Sequence, residues 1–398
     1  MNDADKNSVD KLLAVVPAWS QVTTARDALD LPDHTLLHCG PPAALSDALV
    51  TPILNSAAVA CVYEGWAKTL DEADQLIGSG SITFEPAQDR NVATPMAAVV
   101  SPSMKLTEFT DLNDPNHLSW APLNGGGTGA DPVPRYGYKN QAAIDFLQFL
   151  NDELGEAMAA VPGDRPIEWL PIMDEALTLG DDGHLRHLEA HKILLGIIRD
   201  RLGMSFAGSA HDIFIGKWPF FHLNFWMAAS KLILSAAAGT EGSSMITAFG
   251  GNGNEFGLQV ASLPGQWFTC PAEPPRGKIR EPYTVETCVG AFGDSAVAEG
   301  LGLGAMAQRY CPDMQGLHAG FTPEDIFELP EKLLMAPHPA MPKSGARVGL
   351  SASAVMESNV TPVLELGIAD KHGINGGLGA GIYRPPIGPF AAACEALR

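Results

Sequence analysis

Apolar positions along this chain keep two rhythms, and the change from one to the other divides it into segments. Near the N-terminus short apolar runs alternate with amphipathic stretches. After a short helix near Ser8 to Val16, "HTLLHCGPP" reads as a buried strand, because its apolar run stops at Gly40 and two prolines. A helix from about Ala44 to Asn55 and a second strand in "AAVACVYEG" are expected next. They are followed by a short helix in "TLDEADQLIGSG" with Thr69 as N-cap, and by a strand in "SITFEPA". This strand–helix–strand–helix–strand order predicts a βαβ domain with a parallel sheet over residues 1–111.

Residues 112–138 are rich in Pro, Gly, Asn and Asp and read as a long linker. The period then becomes helical. Gln141 to Val161 places Ile144, Leu147, Leu150, Leu154, Met158 and Val161 on one stripe, and His184 to Leu202 and Phe221 to Ala238 continue a helical domain over 139–240. From 241 to 398 short β-like runs separated by glycines end in a helix near Phe390 to Leu397, without internal repeats. The fold class expected is α/β and α+β multidomain: an N-terminal parallel-sheet βαβ domain, a central helical domain and a C-terminal glycine-rich α+β domain.

Composition narrows the partners. The 398 residues carry 25 basic against 46 acidic side chains, a formal charge of −21, which repels nucleic acid and anionic membranes. A small anionic substrate then needs locally placed cations or N–H groups. The N-terminus lacks the basic and apolar regions of a secretion signal, and the most apolar window, Phe225 to Gly239, is too short for a membrane span and contains Lys231. The expected location is the cytoplasm. Six cysteines without a C-x-x-C pair fit reduced thiols, not a zinc site.

Candidate chemistry sits in five places. "FGGNGNEFGLQVASLPGQWFT" has the first spacing of a dinucleotide loop at Gly251 and Gly253, but the third glycine, Gly257, falls one residue late and no helix follows. It reads instead as two strands joined by a glycine-rich turn carrying Asn252 and Glu255, with room for another group to approach the backbone. In "FGDSAVAEGLGLGAMA", Asp294 is a candidate helix cap that would turn Asp294, Ser295 and Glu299 toward one locus, and Gly302, Gly304 and Ala307 match G-x-G-x-x-A weakly. His184, His187 and His191 are spaced to share a helix face; the pattern is not H-E-x-x-H, so no metal is assigned, and His184 with Arg186 is expected to meet an oxyanion. Glu64 and Lys68 fall at the end of the expected second strand, either as a ligand pair or as a self-satisfied ion pair. Near the C-terminus, Asp370, Lys371, His372 and Arg384 surround a glycine run.

Several of these segments together, "TLLHCGPP", "VYEGWAKTLDEADQLIGSGSITFEP", "NGNEFGLQVASLPGQWFTCPA", "GDSAVAE" and "IADKHGINGGLGAGIYRPP", resemble the YlbE/AllG-like family in order and spacing from Thr35 to Pro386. That bacterial family was long catalogued as of unknown function. Its known member is a subunit of the oxamate carbamoyltransferase of anaerobic allantoin breakdown. The resemblance implies a cytoplasmic nitrogen-metabolism protein that works with other subunits, with a homo-oligomer left open. The joint reaction moves a carbamoyl group between oxalurate's amide nitrogen and phosphate, making carbamoyl phosphate.

The family's recurrent polar positions fall here at His38, Glu64, Lys68, His184, Arg186, Asn224, Lys231, Asn252, Glu255, Asp294, Ser295, Glu299 and Lys371. His187 and His191 have no counterpart, and Cys39 stands where the family carries a small residue. By the resemblance, the chain is expected to lack the family's opening segment. Asp370 and Glu365 replace a histidine and a polar amide position.

On this reading Lys68, Arg186 and Lys371 hold anionic oxygens, with Lys231, Ser295 and Glu64 as further binding residues. His184 acts as acid or oxyanion donor, Asn252 orients the amide, and Glu255 and Asp294 assist proton movement or fix the cations. No cofactor is expected. The competing readings are a non-catalytic structural subunit that positions a partner enzyme, and an NAD(P)- or acyl-group-handling enzyme.

Overall fold

A computed structural model of the protein describes residues 3–43, 49–125 and 131–398. In chain order its strands are β1 (Pro17–Thr24), β2 (Thr35–His38), β3 (Thr83–Pro86), β4 (Lys105–Asp111), β5 (Asp114–Pro122), β6 (Ile167–Glu168), β7 (Ile246–Asn252) and β8 (Glu255–Val260). They continue with β9 (Phe268–Pro271), β10 (Arg276–Ile279), β11 (Phe292–Gly293), β12 (Leu334–Pro337), β13 (Arg347–Leu350), β14 (Leu364–Ala369) and β15 (Gly377–Tyr383). The sheets run β5-β4-β1-β6, β11-β7-β8-β9, β10-β15-β14, β12-β13 and β2-β3. The result is a mixed α/β architecture with several sheets, in keeping with the α+β class.

The first part departs from the expected parallel sheet. Among the strands of the described residues only β2 and β3 pair in parallel, while β1, unmarked in the sequence, joins the antiparallel sheet between β4 and β6. The expected second strand, "AAVACVYEG", is instead the C-terminal half of a helix, Thr51–Tyr63. Pro52 starts that helix, Ala57, Ala58 and Ala60 favour it, and nearly every residue from Pro52 to Cys61 is buried. A segment buried on all sides shows no polar face, so periodicity cannot separate helix from strand. The expected start of this helix, residues 44–48, lies outside the described residues.

The following helix, Leu70–Gly78, forms as expected. Thr69 Oγ1 accepts from Glu72 N at 3.1 Å, and the Glu72 carboxylate accepts from Lys68 N at 2.8 Å. Thr69→Ala is therefore expected to lower stability by about 1 kcal/mol, and Thr69→Ser to keep most of it, measured as denaturation midpoints.

The proline- and glycine-rich stretch 112–138 is not a plain linker. It contains β5, which pairs with β4 from Leu106↔Pro122 to Thr110↔Leu118. Residues 126–130 of that stretch lie outside the described residues. The helical stripe over 141–161 forms as Gln141–Gln148, a wider turn at Phe149–Leu154, and Gly155–Ala159, with all six stripe residues buried.

The helix Leu223–Ser235 packs between two sheets. One side lies on β1, β4 and β5, with Phe225 edge-on to Trp19 at 4.6 Å. The other side meets β7 and the short helix Ala296–Leu301. It is buried from Leu223 to Leu234, which puts the charged Lys231 inside the protein.

Candidate functional site

The glycine-rich strand pair forms as expected: β7 and β8 are antiparallel, joined at Gly253 and Asn254. No helix follows β8, so the run is not a dinucleotide loop. The room its glycines leave is filled by Gly40, at the end of β2. Gly40 sits at φ +72°, and a Cβ there would overlap the backbone of Gly251. Only glycine lets the two main chains come this close.

Asp294, just after β11, ties the junction together. Its Oδ1 accepts from Gly40 N at 2.8 Å and from Gln88 Nε2 at 2.7 Å, and its Oδ2 accepts from Thr94 N at 3.0 Å. Gln88 also donates to Phe249 O at 3.0 Å and accepts from Phe249 N at 3.1 Å. Burial pushes the Asp294 carboxyl up to about 7, against the pull of these donors and of Lys231. The expected helix cap is thereby corrected. Ser295 occupies the N-cap position of Ala296–Leu301, and Asp294 and Glu299 turn to different partners, because backbone donors from β2 and residue 94 compete successfully for Asp294.

Lys231 is 3% exposed and donates to Thr247 O at 2.9 Å, while burial lowers its ammonium to about 8. Asn252 uses its Oδ1 to accept from Asn254 N at 3.0 Å and Glu255 N at 2.8 Å, and its Nδ2 to donate to Pro41 O at 3.0 Å. It thus shapes the β7–β8 turn. Glu255 accepts from Thr269 Oγ1 at 2.9 Å.

Beside this junction opens a cleft of about 340 Å³. Leu49, Val50 and Thr51 at the start of the helix Thr51–Tyr63 form one wall, Gly253 and Asn254 a second, Cys288 to Gly290 a third, and Lys371 with His372 the rim. The turn carrying Lys371 is held by Asp370, whose Oδ2 accepts from Ile374 N at 3.1 Å and Asn375 N at 2.9 Å. Lys371 Nζ rests on Glu286 O at 2.6 Å and is exposed. A lysine and the positive end of a thirteen-residue helix lining one cleft suit an anion.

The other sequence candidates lie in two different neighbourhoods. His184 and His187 precede the helix Leu188–Leu202 and only His191 belongs to it, so the three imidazoles do not share a helix face. The reason is local: Asp182 Oδ1 gathers the N–H groups of His184, Leu185 and Arg186 into a turn. His184 Nδ1 pairs with Glu299 Oε1 at 2.9 Å, while His187 packs among Phe220, His222 and Trp226. Among the described residues no group of three or more His, Cys, Asp or Glu is arranged to hold a metal ion. Arg186 points to Gly180 O and to Asp313 Oδ2, at 3.6 Å from the latter, while His184 is buried against Glu299. Glu64 follows a helix, not a strand. Its carboxylate accepts from Ser101 Oγ at 2.6 Å and Ser103 N at 2.7 Å, not from Lys68, which is exposed.

Gly304 carries the weaker glycine motif, and a Cβ on it would overlap the Glu299 carboxylate, so the protein's own anion fills that space. Cys39 is buried, and burial holds its thiol well above the ordinary range. Sequence reasoning missed Gln88, Thr94 and Thr51. Gln88 leaves no local signal, since its partners lie 161 and 206 residues away in the chain.

Fold and cleft define a mixed α/β protein with a lysine-rimmed cleft at the meeting of the start of the helix Thr51–Tyr63, the β7–β8 turn and the β14–β15 turn. The chain belongs to the AllG family, whose model, described as oxamate carbamoyltransferase subunit AllG, matches residues 82–295. It is 28% identical over 405 residues to the oxamate carbamoyltransferase subunit AllG of Escherichia coli K12, covering 98% of this chain and 96% of that protein. It is 31% identical over 372 residues to the uncharacterized protein YahG of the same strain, covering 90% of this chain and 78% of that protein. A crystal structure of a conserved protein of unknown function from Enterococcus faecalis V583 superposes with a TM-score of 0.91 at 28% identity, covering 99% of this chain and 96% of that one. No helix among the described residues is long and apolar enough to cross a membrane.

Proposed function

We propose that this chain is a subunit of a carbamoyltransferase complex that moves a carbamoyl group between phosphate and an amide such as oxamate, and that its cleft takes the anionic end of a substrate. Family membership supports the reaction class. The observation that carries the placement is Lys371 lining the 340 Å³ cleft together with the start of the helix Thr51–Tyr63. Transfer passes through a tetrahedral centre and needs cationic or N–H donors for the phosphate and the developing oxyanion. Lys371 and His372 supply donors to such oxygens. Asn252 holds the β7–β8 turn that lines the cleft, Asp294 holds Gly40 against the same strand pair, and both act as positioning residues. Lys68, Arg186, Lys231, Ser295, Glu64 and His184 do not line this cleft.

The sealing of Asp294, Lys231, Asn252 and His184 inside the chain also favours a second reading, a structural subunit whose partner carries the chemistry. The two are separated by reconstituting the chain with its partner subunits and assaying phosphate-dependent carbamoyl phosphate formation from a panel of N-carbamoyl amides. Lys371→Ala is expected to lower kcat/KM by roughly 10- to 100-fold with assembly unchanged. Unchanged turnover in an assembled complex would place the chemistry in another subunit.

A further inference from the structure

The segment 181–187 and β14 meet in a cluster of acids that the proposed reaction leaves unused. Asp182, Glu299 and Glu365 are fully buried, together with His184, Gln308 and His318. Glu299 is satisfied: it pairs with His184, its Oε1 accepts from Glu365 N at 2.8 Å, and its Oε2 from Ala305 N at 3.1 Å. Asp182 Oδ1 accepts three backbone N–H groups, from His184, Leu185 and Arg186, at 2.7, 2.9 and 3.0 Å. Glu365 Oε1 accepts from the Gln308 amide and lies 3.6 Å from His318 Nε2.

The remaining oxygens, Asp182 Oδ2 and Glu365 Oε2, have no donor among the described residues. Yet the two belong to one packed cluster: Glu299 Oε1 meets His184 Nδ1 at 2.9 Å and Glu365 N at 2.8 Å, Asp182 O accepts from Gly304 N at 2.8 Å, and a side-chain contact links the two carboxyls. Ionised carboxylates are acceptors only, so two of them in contact away from water repel. One proton turns the same contact into a short, strong hydrogen bond.

We propose that Asp182 and Glu365 share one proton, held on Glu365 and donated to Asp182, and that this bond latches the segment carrying His184 and Arg186 onto β14. The surroundings agree from every side. On the 181–187 segment the nearby cation, Arg186, turns to Gly180 and Asp313, and Asp181 is committed to the backbone N–H groups of Gly183, Glu189 and Ala190. The helix Ala296–Leu301 contributes Glu299, the next turn Gln308, and the segment after it Cys311 and His318. Burial keeps His318 neutral by lowering its basicity. Burial first, then the charges of Asp182 and Glu299, hold the Glu365 carboxyl well above the ordinary range. A raised acid stabilises the fold at low pH and loses that contribution as pH climbs through its folded value. When the proton passes to solvent, two negative charges face each other and the latch opens.

The test compares wild type with Glu365→Gln, whose amide N–H can donate to Asp182 without a titrating proton. Infrared difference spectra at pH 7 should show a protonated carboxyl C=O band in wild type that Glu365→Gln removes. The wild-type Tm should fall relative to that of Glu365→Gln as pH is raised from about 4.3, where the unfolded carboxyl ionises, up through the raised folded value. Asp181 and Asp294 titrate in both proteins and cancel in the comparison. A blank difference spectrum, or a Tm difference independent of pH, would overturn the shared proton. If Glu365→Gln does not fold, Asp182→Asn gives the same reading, since its amide donates to an ionised Glu365 and the acid band should again vanish. Both readouts use the full chain and hold whatever reaction the complex performs.

Discussion

Asp294→Ala is expected to cost about 3–5 kcal/mol and to unfold a large share of the protein at 37 °C, because it strips one carboxylate from three buried donors at once. Gly40 N, Thr94 N and Gln88 Nε2 all end on this side chain, and none gains access to water when it is removed. The loss also frees Gln88, whose amide otherwise bridges Asp294 and the Phe249 main chain. Asp294→Asn isolates the geometry from the charge. Its amide oxygen can still serve Gly40 and Gln88, but its NH₂ then faces Thr94 N–H, donor against donor, so a smaller loss of roughly 1–3 kcal/mol is expected. Urea midpoints at constant m-value provide the measurement. Equal losses for both variants would mean that charge, not the hydrogen-bond set, is what this site contributes. If Asp294→Ala keeps full stability, the junction is not held as described.

Acid should unfold this protein well before its surface carboxylates are exhausted. Burial pushes the imidazoles of His38, His187, His191 and His338 down to about 4. His38 Nε2, His187 Nδ1 and His338 Nε2 find no partner among the described residues, so a proton there has nowhere to be shared. In the unfolded chain these rings titrate near the usual value of about 6.5. The unfolded state therefore takes up protons first, and stability present above pH ~6.5 is lost as pH falls toward about 4. For a fully buried ring the contribution is on the order of 3 kcal/mol.

Asp181 and Asp294 act in the opposite sense, because burial raises both to about 7 and acid relieves their cost. Glu299 and Glu365 are raised by burial in the same way, and His117, His222 and His318 are depressed like the four other rings, so seven depressed imidazoles against four raised carboxyls leave a net loss on the acid side. Calorimetry in buffers of different ionisation enthalpy should show net proton uptake on unfolding near pH 5. Proton release there, or a flat Tm between pH 6.5 and 4, would count against neutral buried histidines.

How much of the site was legible in advance depends on the distance at which each residue finds its partner. Lys371 and Asn252 were marked by motifs and reach the cleft or the turn that forms its wall. His184, Arg186, Lys231 and Glu64 were marked equally well and face inward or elsewhere. Nothing local distinguishes the two groups. His184 meets Glu299 across 115 residues, and Asp294 meets Gly40 across 254. Gln88 and Thr94 carry no mark, since a single amide or a main-chain N–H has no pattern to read.

By itself the sequence determined the short-range elements: the buried strand at Thr35–His38, the Thr69 cap, the amphipathic stripe from Ile144 to Val161, and the glycine-rich β7–β8 pair. Each rests on contacts within a few residues or on one buried and one wet face, which periodicity records. Tertiary structure alone decided that residues 57–63 are helix, that β1 and β5 join an antiparallel sheet, and which polar groups line a cleft. Where a segment is buried on every side, or a side chain's partner comes from a distant part of the chain, the local pattern is silent. Packing then makes the choice, by excluding water and leaving each polar group only the partners brought to it.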